Sequence, residues 1–210
     1  MKVKSLALLS IIFSIFINSL LTRSNDCVMI GSNGGGYSGF WYYYGQLEKE
    51  YQLDKKIYCF SAGCLAPVSN MQHNNYNFLI NMVRDLKKKY NNNQISRFDV
   101  RNEFIYKISS KVTDISKYNL NILTANYLGN CKIIKPNTRK ELIDALNETT
   151  SIPFITSRLD SRQNIDGGLC INKYPKCKKN IKMPIKYKFL INIFNPNINE
   201  DEDIKYFMNY

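Results

Sequence analysis

Ser61 lies in Cys59-Phe60-Ser61-Ala62-Gly63, where an apolar run reaches a serine with a glycine two residues on and a helical pattern after it. That is the shape of a nucleophile elbow. A sharp strand-to-helix turn lifts a hydroxyl above the sheet edge, and small neighbours let helix and strand approach. Position 59 carries Cys where the G-x-S-x-G pattern has its first glycine. A serine in such a turn also fits a plain helix N-cap. The second chemical group is Gly34-Gly35-Gly36-Tyr37-Ser38-Gly39, between an apolar run and a helical pattern. The third is Asp166-Gly167-Gly168. Asp160 is also late in the chain, but only Asp166 has following glycines to hold it in a turn. Eight of the chain's ten glycines fall at 31–39, 63 and 167–168, so special backbone geometry is concentrated at these places.

The glycine-rich loop satisfies G-x-G-x-x-G, but dinucleotide binding also needs an acidic residue at the end of the second strand. That end is Phe60-Ser61, and Asp54 lies before the strand rather than after it. No Gly-Lys-Ser/Thr is present for a nucleoside triphosphate. A row of backbone N–H groups at a helix N-terminus remains, suited to a phosphate or to the oxyanion of an acyl-transfer intermediate. The alternative is a tight turn with no ligand.

The chain has one histidine, His73, twelve residues after Ser61 and near the end of the helix that Ser61 would launch. No histidine follows Asp166, so the serine, acid, histidine order of α/β-hydrolases is excluded. His73 reads as a surface or helix-end residue. A nucleophilic Ser61 would have to be activated by a carboxylate directly. One histidine and the lack of any C-x-x-C spacing also argue against zinc, and this chemistry requires no metal or other cofactor.

The elements that must position these residues alternate. Apolar runs at 27–30, 56–60, 120–125, 131–134, 152–156 and 186–194 read as strands. Helical patterns cover 40–51, 64–71, 75–90, 97–110 and 138–146, the last with Asn137 as its cap. This alternation predicts a mostly parallel sheet covered by helices on both faces. The aromatic block at 41–44 reads as core, on its helical spacing. With 44% apolar and 22% charged residues in 210, the chain can bury a core and is not disordered.

Residues 1–24 pair a basic start with an uncharged apolar stretch, which reads as a signal peptide or an N-terminal membrane anchor. Either assigns the remainder to the secretory pathway: secreted, lumenal, or anchored with its domain on the lumenal or extracellular side. Residues 25–198 form the expected domain, and 199–210 an acidic C-terminal tail. Six cysteines in an oxidising compartment can pair. Cys59 and Cys64 sit in apolar runs and read as small buried residues, whereas Cys170 and Cys177 bracket Pro175 and are the first candidate pair. Asn147-Glu148-Thr149 is a glycosylation sequon placed late in a predicted helix.

The three glycine sites, Gly34 to Gly39, Phe60-Ser61-Ala62-Gly63-Cys64-Leu65 and Asp166-Gly167-Gly168, resemble the patatin-like phospholipases in order and approximate spacing. The helix and Ser151-Ile152-Pro153-Phe154 before the third site resemble that family as well. The resemblance covers about residues 27–190. It implies a three-layer α/β/α sandwich and hydrolysis of acyl-ester lipids by a Ser–Asp dyad. Carried onto this chain, Ser61 is the nucleophile, Asp166 the general base, and Gly34, Gly35 and Gly36 the oxyanion loop. Gly39, Gly63, Gly167 and Gly168 support the elbow and turn.

Lys plus Arg exceed Asp plus Glu by 29 to 17, a formal charge of +12. Lys173, Lys176, Lys178, Lys179 and Lys182 are dense enough to attract an anionic membrane surface. Nucleic acid is the other partner such charge suggests, but no binding motif for it is present. The expected partner is therefore a phospholipid or other acyl-ester lipid. The competing class is a patatin-like domain that has lost turnover and serves as a lipid-binding or interaction module, with Cys59 as the feature that favours it.

Overall fold

The computed structural model describes residues 25–31, 35–49, 55–72, 75–158 and 164–184, with 204, 205 and 208 near the end of the chain. The leader, Gly34, His73, the expected strand at 186–194 and most of the acidic tail lie outside the described residues. No helix among the described residues is long and apolar enough to cross a membrane.

The chain runs β1 (Asn25–Ile30), α1 (Gly36–Lys49), β2 (Lys56–Cys59), α2 (Ala62–Met71), α3 (Tyr76–Asn91) and α4 (Arg97–Ile108). It continues through β3 (Leu120–Ala125), β4 (Cys131–Ile134), α5 (Arg139–Thr149), β5 (Ile165–Asp166), a 3-10 turn (Gly167–Lys173) and β6 (Cys177–Ile181). The class is α/β, with a six-stranded sheet in the order β4-β3-β2-β1-β6 and β5 added on β3. Pairings of β1 with β2 and β6, and of β2 with β3, are parallel; β4 and β5 run antiparallel to β3.

Register explains the core. Val28, Ile57 and Leu120 align across the three central strands, as do Ile30, Cys59 and Ile122. All six side chains join one cluster with Trp41, Tyr44, Val68, Leu79, Leu86, Ile105 and Leu146 from the five helices. The alternate residues Cys27, Met29, Tyr58, Phe60 and Leu123 form a smaller cluster on the opposite face, closed by Tyr174 rather than by an α-helix. Among the described residues, then, the helices cover one face, where coverage of both was expected. The aromatic block at 41–44 is core, with Trp41, Tyr43 and Tyr44 almost fully buried.

Capping follows local chemistry. Ser96 and Asp99 form a reciprocal capping box on α4, and the Asn75 side chain caps α3. The cap of α5 is Thr138, whose hydroxyl accepts from the Glu141 N–H; it is not Asn137. Residues 152–156 are a turn rather than a strand, because Thr156 Oγ1 accepts from the Ile152 N–H and donates to the Thr150 carbonyl, closing the segment on itself. The sequence reading missed β6, since Cys-Lys-Lys-Asn-Ile lacks the apolar alternation of a strand.

All six cysteines are disulfide-bonded, as Cys27–Cys177, Cys59–Cys64 and Cys131–Cys170. This corrects the expected Cys170–Cys177 pair; Cys59 and Cys64 are buried as expected, and are also joined to each other. Asn25 opposite Cys177 and an irregularity in the β1–β6 ladder bring the Cys27 and Cys177 Cα atoms to 4.9 Å. Cys170 leaves the 3-10 turn toward β4 instead.

Candidate active site

Ser61 stands at the turn between β2 and α2 with φ 51° and ψ −138°, one of three described non-glycine residues at positive φ. Such a conformation costs on the order of 1–3 kcal/mol and persists only when its surroundings hold it. Here they do. The Ser61 N–H donates to Thr149 Oγ1 at 2.9 Å, and the same hydroxyl donates to the Leu123 carbonyl at 2.7 Å. Thr149, fully buried at the end of α5, thus ties the turn to β3. Sequence reading met Thr149 only as part of a sequon. No local pattern marks a contact across 88 positions.

The small residues are required by close approach. A Cβ on Gly63 would lie 2.6 Å from both the Gly31 Cα and the Ile30 carbonyl oxygen, so α2 can leave β2 in this direction only with glycine there. The disulfide from Cys59 to Cys64 then closes a loop around Ser61, between the last residue of β2 and the third of α2. Cys at the first elbow position is therefore a covalent brace on the turn.

Asp166 reaches the same place from the other half of the chain. β3 pairs with β2 through Leu120–Ile122 and with β5 through Thr124 and Ala125. β5 thus continues along β3 from where β2 leaves it for the elbow. Gly167 is needed for this fit, since its Cβ would lie 2.3 Å from the Leu123 carbonyl oxygen and 2.8 Å from the Phe60 Cβ. The Asp166 carboxylate accepts the Gly168 N–H at 2.7 Å. Burial pushes its pKa up to about 6, although the neighbouring Ser61 hydroxyl and the Gly168 N–H pull the other way.

The remaining site candidates divide. Gly35 and Gly36 enter α1 at positive φ, and the Gly39 N–H returns to the Gly35 carbonyl at 2.9 Å. A Cβ on Gly35 would meet the Gly39 Cα at 2.7 Å, which accounts for both glycines. Gly36 lines one cavity with Ser61 and Ala62, while Gly34 lies outside the described residues. The lysines do not form one patch. Lys176, Lys178 and Lys182 are exposed, but Lys179 shares the register of Val28 on the helical face and lies beside Tyr42. The Lys173 side chain is outside the described set. β6 is the outermost strand on that side among the described residues, and lysines on such a strand also discourage pairing with other chains.

The cavity at Ser61 measures about 160 Å³. Tyr37 and Phe40 of α1, Leu65 of α2, Val100 and Phe104 of α4, and the turn residues Ile152 and Ile155 make its lining mainly apolar. Two arginines, Arg97 and Arg101, are part of the same wall. A serine at positive φ, a neighbouring half-buried carboxylate and an apolar slot can together support nucleophilic attack on an ester of an apolar acid. No family model matches the chain, and no curated protein matches it.

Proposed function

We propose that this protein is a serine lipid acyl hydrolase of the phospholipase or lipase type, with a patatin-like architecture. One observation carries the reading: a serine at positive φ next to a carboxylate with a raised pKa, beside an apolar cavity. Ser61 Oγ attacks the ester carbonyl while Asp166 accepts the hydroxyl proton, forming a tetrahedral oxyanion. The backbone N–H groups of the Gly34–Gly36 loop stabilise that charge, and collapse expels the alcohol with the proton returned from Asp166. Asp166 then activates water against the acyl-enzyme and releases the fatty acid. The apolar cavity receives the acyl chain.

A pKa near 6 suits Asp166 to this work better than a carboxylate at its ordinary value of about 4, because it is a stronger base and still ionised at neutral pH. Three disulfides fit an oxidising compartment, and exposed Lys176, Lys178 and Lys182 fit an approach to an anionic membrane surface.

A fluorophosphonate probe tests the reading, since it reacts with an activated serine and not with an ordinary hydroxyl. The disulfide-intact protein should label, and Ser61→Ala should not. A folded protein that fails to label would sink the hydrolase and leave the non-catalytic lipid-binding module.

A further inference from the structure

Arg97, Val100, Arg101 and Phe104 are spaced i, i+3, i+4 and i+7 along α4, so one helical face brings two arginine side chains and two apolar side chains to the wall of the Ser61 cavity. An acyl chain alone needs only the apolar pair. A cation in a mainly apolar wall loses hydration and is retained where something of opposite charge compensates it.

Among the described residues, little compensates Arg101. Its Nε and Nη2 both donate to the Asn102 amide oxygen, at 3.2 and 2.9 Å, while Nη1 is buried with no acceptor. No carboxylate forms an ion pair with Arg97 or Arg101 among the described residues. Burial accordingly pulls the Arg101 pKa below its ordinary value, with no neighbouring acid opposing it. Arg97 is steadier: it stacks on Phe98 and donates to the Phe154 carbonyl, which anchors the 150–157 turn on this side of the cavity. The two cations thus have different duties, Arg97 bracing the wall and Arg101 left with unused charge.

We propose that Arg101, braced by Arg97, is an anion-recognition site of this cavity, and that its ligand is the phosphodiester of an acyl lipid. A guanidinium matches two phosphate oxygens with parallel N–H donors, a geometry that an ammonium group does not offer. The proposal rests on the hydrolase reading for the position of the cleaved ester, and adds that phosphate beside the scissile acyl group sets substrate choice. Neutral glycerides, which bring no anion, leave the buried Arg101 Nη1 without an acceptor.

The test compares dihexanoyl phosphatidylglycerol with dihexanoylglycerol, both below their aggregation limits so that membrane attraction plays no part. The ratio of kcat/KM for the phospholipid over the neutral lipid should fall at least about tenfold in Arg101→Gln and recover in part in Arg101→Lys. An unchanged ratio in either folded variant overturns the proposal. Equilibrium binding of the same phospholipid to Ser61→Ala, with and without Arg101→Gln, supplies an arm that needs no turnover. Binding weakened about tenfold supports the site even if fluorophosphonate labelling has failed, and equal binding overturns it even if labelling succeeds. Glycerophosphoglycerol carries the phosphodiester without acyl chains. It should compete weakly; competition as strong as that of the lipid would overturn the acyl-lipid assignment.

Discussion

Cys59 and Cys64 are disulfide-bonded across the turn that carries Ser61, with Cα atoms 5.0 Å apart. The cross-link joins the end of the strand that delivers the serine to the first turn of the helix that follows it. It therefore restrains the local conformation directly. Cys27–Cys177 does something different, since it closes 150 residues between β1 and the edge strand β6.

The two cross-links should consequently separate stability from site competence. Chain-entropy arguments assign about 2 kcal/mol to a loop as short as that of Cys59–Cys64 and about 5 kcal/mol to one as long as that of Cys27–Cys177. Replacing Cys27 and Cys177 with Ser should thus lower the denaturation midpoint more than replacing Cys59 and Cys64 with Ala. Fluorophosphonate labelling per folded molecule should show the reverse order, with the Cys59/Cys64 variant slowed about tenfold or more. Equal labelling rates in both variants would remove the brace from the account of the elbow.

Asp166 makes a pH prediction whose sign is fixed by burial. The base form is the carboxylate, so the rate of labelling or turnover should rise with pH through a midpoint near 6, where an ordinary aspartate would give about 4. Stability moves the opposite way. A carboxyl with a raised folded-state pKa contributes stability that is fully present below the unfolded value, and is lost as pH rises through about 6. Asp166→Asn should therefore be inactive at pH 8 yet melt at or above the temperature of the native protein. A midpoint near 4 would show that Asp166 is not desolvated in solution.

Thr149 offers a third measurement. Thr149→Val removes a hydroxyl that joins the Ser61 N–H to the Leu123 carbonyl, both deep in the fold. Leaving buried groups unpaired costs about 1–3 kcal/mol, and Ser61 also loses a support for its positive φ. Thr149→Val should thus reduce both stability and labelling, while Thr149→Ser retains most of each. If Thr149→Val matched the native protein in both assays, the bridge would not matter.

The elbow was legible because its requirements are local: a serine between an apolar run and a helical pattern, with glycine where Gly63 meets Gly31. The turn at Asp166 was legible for a similar reason, as Gly167 sits against the Leu123 carbonyl. What could not be read depends on partners far away in the chain. Cysteine pairing follows strand order, and proximity of Cys170 to Cys177 in sequence says nothing about Cys131 or Cys27. The apolar run 152–156 looked like a strand, but its own hydroxyl contacts fold it back on itself. Conversely, the lysines of β6 concealed a strand that β1 specifies by pairing. Sidedness of the helices was equally hidden, because alternation predicts a covered sheet without saying which face each helix takes.

β5 joins β3 beyond the stretch that pairs with β2, so the serine and the aspartate are carried by two strands that share one neighbour. Leu120–Ile122 hold β2 and, through it, the Ser61 turn. Thr124 and Ala125 hold β5 and, through it, Asp166. Pairings this distant in sequence carry a large loop-closure cost and form slowly. Ser61 and Asp166 thus meet only across β3, and a chain emerging during synthesis carries its serine without the aspartate until residues 120–166 have been made.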